Sequence, residues 1–207
     1  MMHDDGNERL VLFSDAVIAI TITLLVLEIR LPEGFGEYSD TELWAALVAL
    51  APRFLAYLIS FGVIGVYWIN HHGKFSRIVK SDGGLRWLNL LFLLTIGLIP
   101  FTTSVIAQNS GTIGTAVYAA VMVASGLALA LIWFYADAKG LIAAEVPKSE
   151  RRRLLMTTLL SSAVFAVSVP LSFAHPDWAR AFWLLLVPVN IFTRSIANLL
   201  RSRKHAD

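Results

Sequence analysis

Asp15 is a carboxylate inside an apolar run, next to Ser14 and about two turns past the point where the run begins. An ionisable group at that depth in a membrane helix is costly unless it faces protein or water, so it marks a functional position by default. His71 and His72 close a second apolar run, and Arg86, Trp87 and Asn89 open a third. Two chemistries fit these residues. They can form a hydrogen-bonded cluster that locks three helices together. Alternatively, His71, His72 and Asp15 can change charge and so serve gating or proton sensing. Both readings require Asp15 to be paired.

The elements that position them follow from composition. Of 207 residues, 57% are apolar and only 15% charged, with a mean hydropathy of +0.66. A soluble domain carries about a quarter charged residues. Too few polar side chains remain to cover a water-facing surface, so lipid is the solvent over much of the chain. The absence of cysteine excludes disulfides, iron–sulfur clusters and thiol catalysis. No His-Glu-x-x-His, Gly-x-Ser-x-Gly or deep carboxylate pair occurs, so no enzyme is expected. Neither a cofactor nor a resident metal is implied, and nucleic acid is not an expected partner. Residues 1–8 contain Asp4, Asp5 and Glu8, the wrong chemistry for a cleavable leader, so the first run is expected to be retained.

A helix needs about 20 apolar residues at 1.5 Å rise to cross a core of roughly 30 Å. Six stretches qualify: 10–31, 53–72, 85–107, 113–136, 154–174 and 178–200. A shorter segment, 43–51, precedes Pro52 and reads as interfacial or as a helical extension. The expected fold is therefore all-α: one polytopic, six-span membrane domain over residues 1–207. Of the 17 Lys and Arg residues, all but Arg30, Arg53 and Arg180 fall on one side of this arrangement. That asymmetry places both termini in the cytoplasm of a cell-membrane protein.

At 100° per residue, Ala16, Ile20, Thr23, Leu24, Leu27 and Leu31 share one arc of the first span, with Phe13 at its edge. Asp15 points away, with Ala19, Ile22, Val26 and Ile29 on its stripe. Periodicity alone favours packing or lipid contact over a pore lining for such an apolar arc.

The run Arg9-Leu-Val-Leu-Phe13-Ser14-Asp15 resembles the Arg-x-x-x-Phe-Ser-Asp signature of the transmembrane-protein-175 potassium channels of lysosomes and bacteria. Trp68-Ile-Asn-His71-His72, Arg86-Trp87-Leu-Asn89 and Leu98-Ile-Pro100-Phe101 resemble the family's later patterns, in the right order and spacing. The resemblance covers about the first half of the chain. It implies a potassium-permeable channel whose first helix lines a central pore. Animal members carry two six-span repeats and work as dimers, so a single-repeat chain implies a homotetramer. By offset from the Phe-Ser-Asp tripeptide, the constriction falls on Ile20, Leu24 and Leu27, with Thr23 in a nearby polar layer. Arg9, Phe13, Ser14, Asp15, Trp87, Asn89 and a second-span histidine, His71 in preference to His72, then form a supporting or gating network.

No Thr-Val-Gly-Tyr-Gly filter and no helix with arginines at every third position occur, so neither a carbonyl filter nor a voltage sensor is expected. The rival reading is a secondary transporter that uses Asp15 as a proton or sodium coupling site. No inverted repeat supports it, and Asp15 lies nearer one end of its span than the midplane.

Overall fold

A computed structural model describes residues 5–31 and 38–185. The apolar runs become helices because lipid offers no partner for backbone N–H and C=O groups, which must pair within each segment. Helix α1, Asp5–Leu24, tightens into a 3-10 turn at Leu25–Glu28. Helix α2, Asp40–Ala49, precedes α3, Ala51–Phe75. Then come α4, Gly83–Gly97, α5, Ile99–Gln108, and α6, Thr112–Ala138. Last are α7, Lys148–Ala174, and α8, Pro176–Phe182, which continues as a 3-10 turn at Trp183–Leu185.

Among the described residues, five stretches are long and apolar enough to cross a membrane: Gly6–Glu28, Ala51–Phe75, Gly83–Gln108, Thr112–Ala138 and Lys148–Ala174. Of the sixth expected span, 178–200, only the part up to Leu185 is described; 186–200 lies outside the described residues. The boundaries differ from expectation in instructive ways. The segment at 43–51 is helical and runs up to α3, with only Leu50 between α2 and α3. Ser39 and Glu42 form a capping box that starts α2 as a separate helix. The third span is broken at Leu98, and Pro100 sits in the first turn of α5, where its missing N–H leaves no bond unmade. The fifth begins at Lys148, so Arg151, Arg152 and Arg153 belong to its first turns rather than to a loop.

Lipid removes the hydrophobic drive between helices, leaving close packing and hydrogen bonds to hold them. The broadest contact joins α6 and α7. A Cβ on Gly126 would lie 1.9 Å from Ser162 Oγ, so only glycine admits that approach. A buried hydroxyl chain links α5, α3 and α6: Thr103 Oγ1 donates to Ser60 Oγ at 2.8 Å, and Ser60 Oγ lies 3.1 Å from Tyr118 Oη. Lys74, grouped by sequence with the solvated basic flank, is instead 1% exposed, and its Nζ donates to Thr158 Oγ1 at 2.6 Å. Its position in the last turn of α3, facing α7, takes it inside the bundle.

The connections on the basic side are stitched together. Ile78 and Ile142 form an antiparallel bridge between the α3–α4 and α6–α7 loops. Val79 N donates to Leu141 O and Ala143 N to Arg77 O, both at 2.9 Å. Asp82 starts α4: its Oδ1 accepts from Leu85 N at 2.8 Å and its Oδ2 from Tyr135 Oη at 2.9 Å. The Leu85 amide bond, with the Tyr135 hydroxyl adding to it, holds the Asp82 carboxyl below its ordinary value of 3.8. Because the folded value is depressed, the carboxylate's contribution is complete above 3.8 and is lost as pH falls through the lower folded value. Asp82→Ala should therefore lower the melting temperature at neutral pH, and thermal unfolding in detergent should show that gap closing in acid. An equal gap at every pH would contradict the capping role.

Candidate functional site

The first helix has one covered face and one bare face. Asn7, Ser14, Ile18, Thr21 and Leu25 are buried and recur at helical spacing, forming the stripe pressed against α3 and α4. This corrects the expected phase. Asp15 lies at the flank of that stripe, not at its centre, and Ala19 and Val26 from its expected side are exposed. The reason is local: Ser14 finds the partner on α4, and its neighbour is then turned 100° away.

Ser14 Oγ donates to Leu10 O and accepts from Asn89 Nδ2, both at 2.8 Å. Asn89 Oδ1 lies 2.8 Å from His71 Nε2. An amide oxygen only accepts, so this contact places the imidazole proton on Nε2. The His71 ring stacks between Phe75 and Phe92, with centroids 4.3 and 5.2 Å away. Ser14, Asn89 and His71 are all fully buried, and together they tie α1 to α4 and α3.

Asp15 is paired, but with a residue outside the expected set. Its Oδ1 accepts from Trp68 Nε1 at 2.9 Å. Trp68 also packs on the ring of His72, which is exposed and makes no bond to Asn89. The signal for Trp68 was present in its spacing, three residues before His71 and hence on the same side of α3, with an indole N–H that needs an acceptor. The structure does not bring Arg9, Phe13 or Trp87 into this cluster. Arg9 and Phe13 are exposed and line a shallow cleft with Gly6, Leu10 and Arg86. Trp87 is 74% exposed, because two residues along α4 is about 200° of rotation, and Asn89 occupies the face toward α1.

On the bare face, Ile20 is 59%, Leu24 44% and Leu27 59% exposed, with Thr23 exposed between them. Thr23 Oγ1 donates to Ile20 O at 2.7 Å. Its proton is thus committed to the backbone, and the hydroxyl oxygen offers only lone pairs to whatever approaches. The change to 3-10 winding after Leu24 matters here: residues three apart eclipse, so Leu27 stacks in line with Leu24. At the far end, Arg53 Nη1 donates to Arg30 O at 2.8 Å and fastens the chain beyond the 3-10 turn to α3. Among the described residues, no group of three or more histidine or acidic side chains is placed to hold a metal.

The family model for the endosomal/lysosomal potassium channel TMEM175 matches residues 9–100. A potassium channel of Streptomyces collinus is 36% identical over 202 residues, spanning 91% of this chain and 96% of that one. The human endosomal/lysosomal proton channel TMEM175 is 41% identical over 100 residues, which cover 46% of this chain and 20% of the human one. The crystal structure of a lysosomal potassium-selective channel TMEM175 homologue from Chamaesiphon minutus superposes with a TM-score of 0.80 at 27% identity, over 92% of this chain and 99% of that one.

Asn89→Ala should leave Ser14 and His71 buried without their partner, at a cost of about 1–3 kcal/mol. His72→Ala, at an exposed position, should stay within about 0.5 kcal/mol of wild type. Thermal unfolding in detergent separates the two. Equal losses would remove the Asn89 contact as the link between the helices.

Proposed function

Since the chain belongs to the TMEM175 family of potassium channels, we propose that four copies enclose a central potassium pathway lined by α1. The observation that carries this reading is the bare face of α1. A helix covered on one side by a polar anchor and left apolar on the other, with one hydroxyl layer, suits a pore wall better than a buried strut. Ile20, Leu24 and Leu27 form the constriction, and Thr23 provides the polar layer. Rings of such side chains supply no ligands to replace an ion's hydration shell. When narrow they exclude water and close the path; when wider they pass hydrated or partly hydrated cations. Selectivity for potassium is then modest and rests on Thr23 oxygens or backbone carbonyls.

Ser14, Asn89, His71 and Asp15 hold the wall from behind. Arg9, Phe13 and Trp87, exposed in one chain, complete the support across the boundary between copies. The apolar composition of 178–200 supports a sixth span. An even span number puts both termini on the basic, cytoplasmic side. The carrier reading loses its support, because Asp15 is held by Trp68 and the family is one of channels.

Ile20→Asn should raise potassium flux into reconstituted vesicles by wetting the constriction, while leaving the melting temperature near wild type. Flux unchanged by Ile20→Asn and by Ile20→Ala would remove α1 as the pore wall. The mass of the cross-linked assembly should correspond to four chains.

A further inference from the structure

Asn7 sits in the first turn of α1, where an asparagine ordinarily accepts from its own helix's free amides. Here it does something else. Its side chain is 6% exposed, and Nδ2 donates at 2.9 Å to the carbonyl of Ile78, in the loop after α3. That carbonyl is held from both sides by the loop after α6, through Val79 N to Leu141 O and Ala143 N to Arg77 O. The second loop is in turn pinned by Arg151, whose Nε donates to Val146 O at 2.9 Å and Nη2 to Ala143 O at 3.1 Å. A continuous hydrogen-bonded path thus runs from the start of α7, through both loops, into the first turn of α1.

We propose that Asn7 is a positioning residue that couples the loop at 139–147 to the pore wall, an inference that rests on α1 lining the pathway. Asn7 and Ser14 lie two turns apart on one stripe. Their bonds together set both the tilt and the rotation of the helix, whereas Ser14 alone would act as a pivot. From Asn7 to Ile20 is about 20 Å of hydrogen-bonded helix, which moves as a rod. Movement of the loop at 139–147 therefore has a direct route to the constriction through this side chain, independently of the residues that touch the ion.

Single-channel recording on the full chain in planar bilayers tests this. Asn7→Ala and Asn7→Asp, the latter keeping the shape without the N–H donors, should each change the open-to-closed ratio by roughly 2- to 30-fold. Unit conductance and reversal potential should stay at wild-type values. Asn7→Gln, which retains an amide donor, should stay closer to wild type than Asn7→Asp. That comparison decides the matter if Asn7→Ala does not assemble. Gly140, at φ +66°, begins the α6–α7 loop, and Gly140→Val strains it from a distance. Its effect on the open-to-closed ratio should be present in the wild-type background and absent beside Asn7→Asp. An unchanged ratio in the Asn7 variants, or a Gly140→Val effect of equal size in both backgrounds, overturns the coupling. Unit conductance altered by Ile20→Asn in the same recordings would then keep the pore reading intact, and its constancy would overturn that reading instead.

Discussion

The amide of Asn89 reaches two helices at once, donating to Ser14 on α1 and meeting His71 on α3. In a medium without competing water, each of these contacts is hard to replace, and each is directional in a way that apolar packing is not. The rotation of α1 about its axis follows from it. With Ser14 turned to Asn89, Ile18, Thr21 and Leu25 are carried to the covered side, and Ile20, Thr23, Leu24 and Leu27 to the open side. The stacking of His71 between Phe75 and Phe92 gives the donor end of the chain a fixed orientation in turn. Every statement about which residues could meet an ion depends on this angle.

The polar bonds of α1 are unevenly spread. Asn7, Ser14 and Asp15 bond to other segments within its first half, and Arg53 holds the backbone at Arg30 beyond the 3-10 turn. Between them, Thr21 and Thr23 bond only to their own helix. The stretch carrying Ile20, Leu24 and Leu27 is therefore supported at both ends and held by packing in the middle. A wall that must change width is better served by this distribution than by polar ties along its length, because packing contacts can slide by fractions of an ångström while hydrogen bonds break.

Much of this was legible beforehand, and the failures have specific causes. Hydropathy located the spans because lipid imposes a length and a composition on any helix that crosses it. The segment at 43–51, read as interfacial or as a helical extension, belongs to a helix that starts earlier, at a capping box of Ser39 with Glu42 that the sequence does contain. Helical phase correctly separated the Ile20 arc from the polar side, yet it chose Asp15 over Ser14 as the centre of the covered stripe. A helical wheel supplies relative angles only; the absolute one comes from a partner 75 residues away. The resemblance grouped Trp87 with Asn89 in one network, although two residues on a helix face opposite ways. Lys74 read as one more basic flank residue, since burial of a lysine against Thr158 depends on where α7 passes. Asn7 sat in a polar stretch before the first span, where nothing local distinguishes a tether from a solvated side chain.

The short 3-10 turn at Leu25–Glu28 makes the angular position of Leu27 a matter of winding rather than of helix placement. A 3-10 segment advances about 120° per residue and an α-helix about 100°, so over the three steps from Leu24 the two windings differ by about 60°. In the tighter form, Leu24 and Leu27 stand one above the other about 6 Å apart, a single column of hydrocarbon. In the looser form that column is split, with Leu27 swung to the side while Leu24 has not moved. In the pore proposed above, the width at Leu27 thus follows the torsion of one turn of backbone, a coordinate that needs no helix to tilt and no subunit to shift.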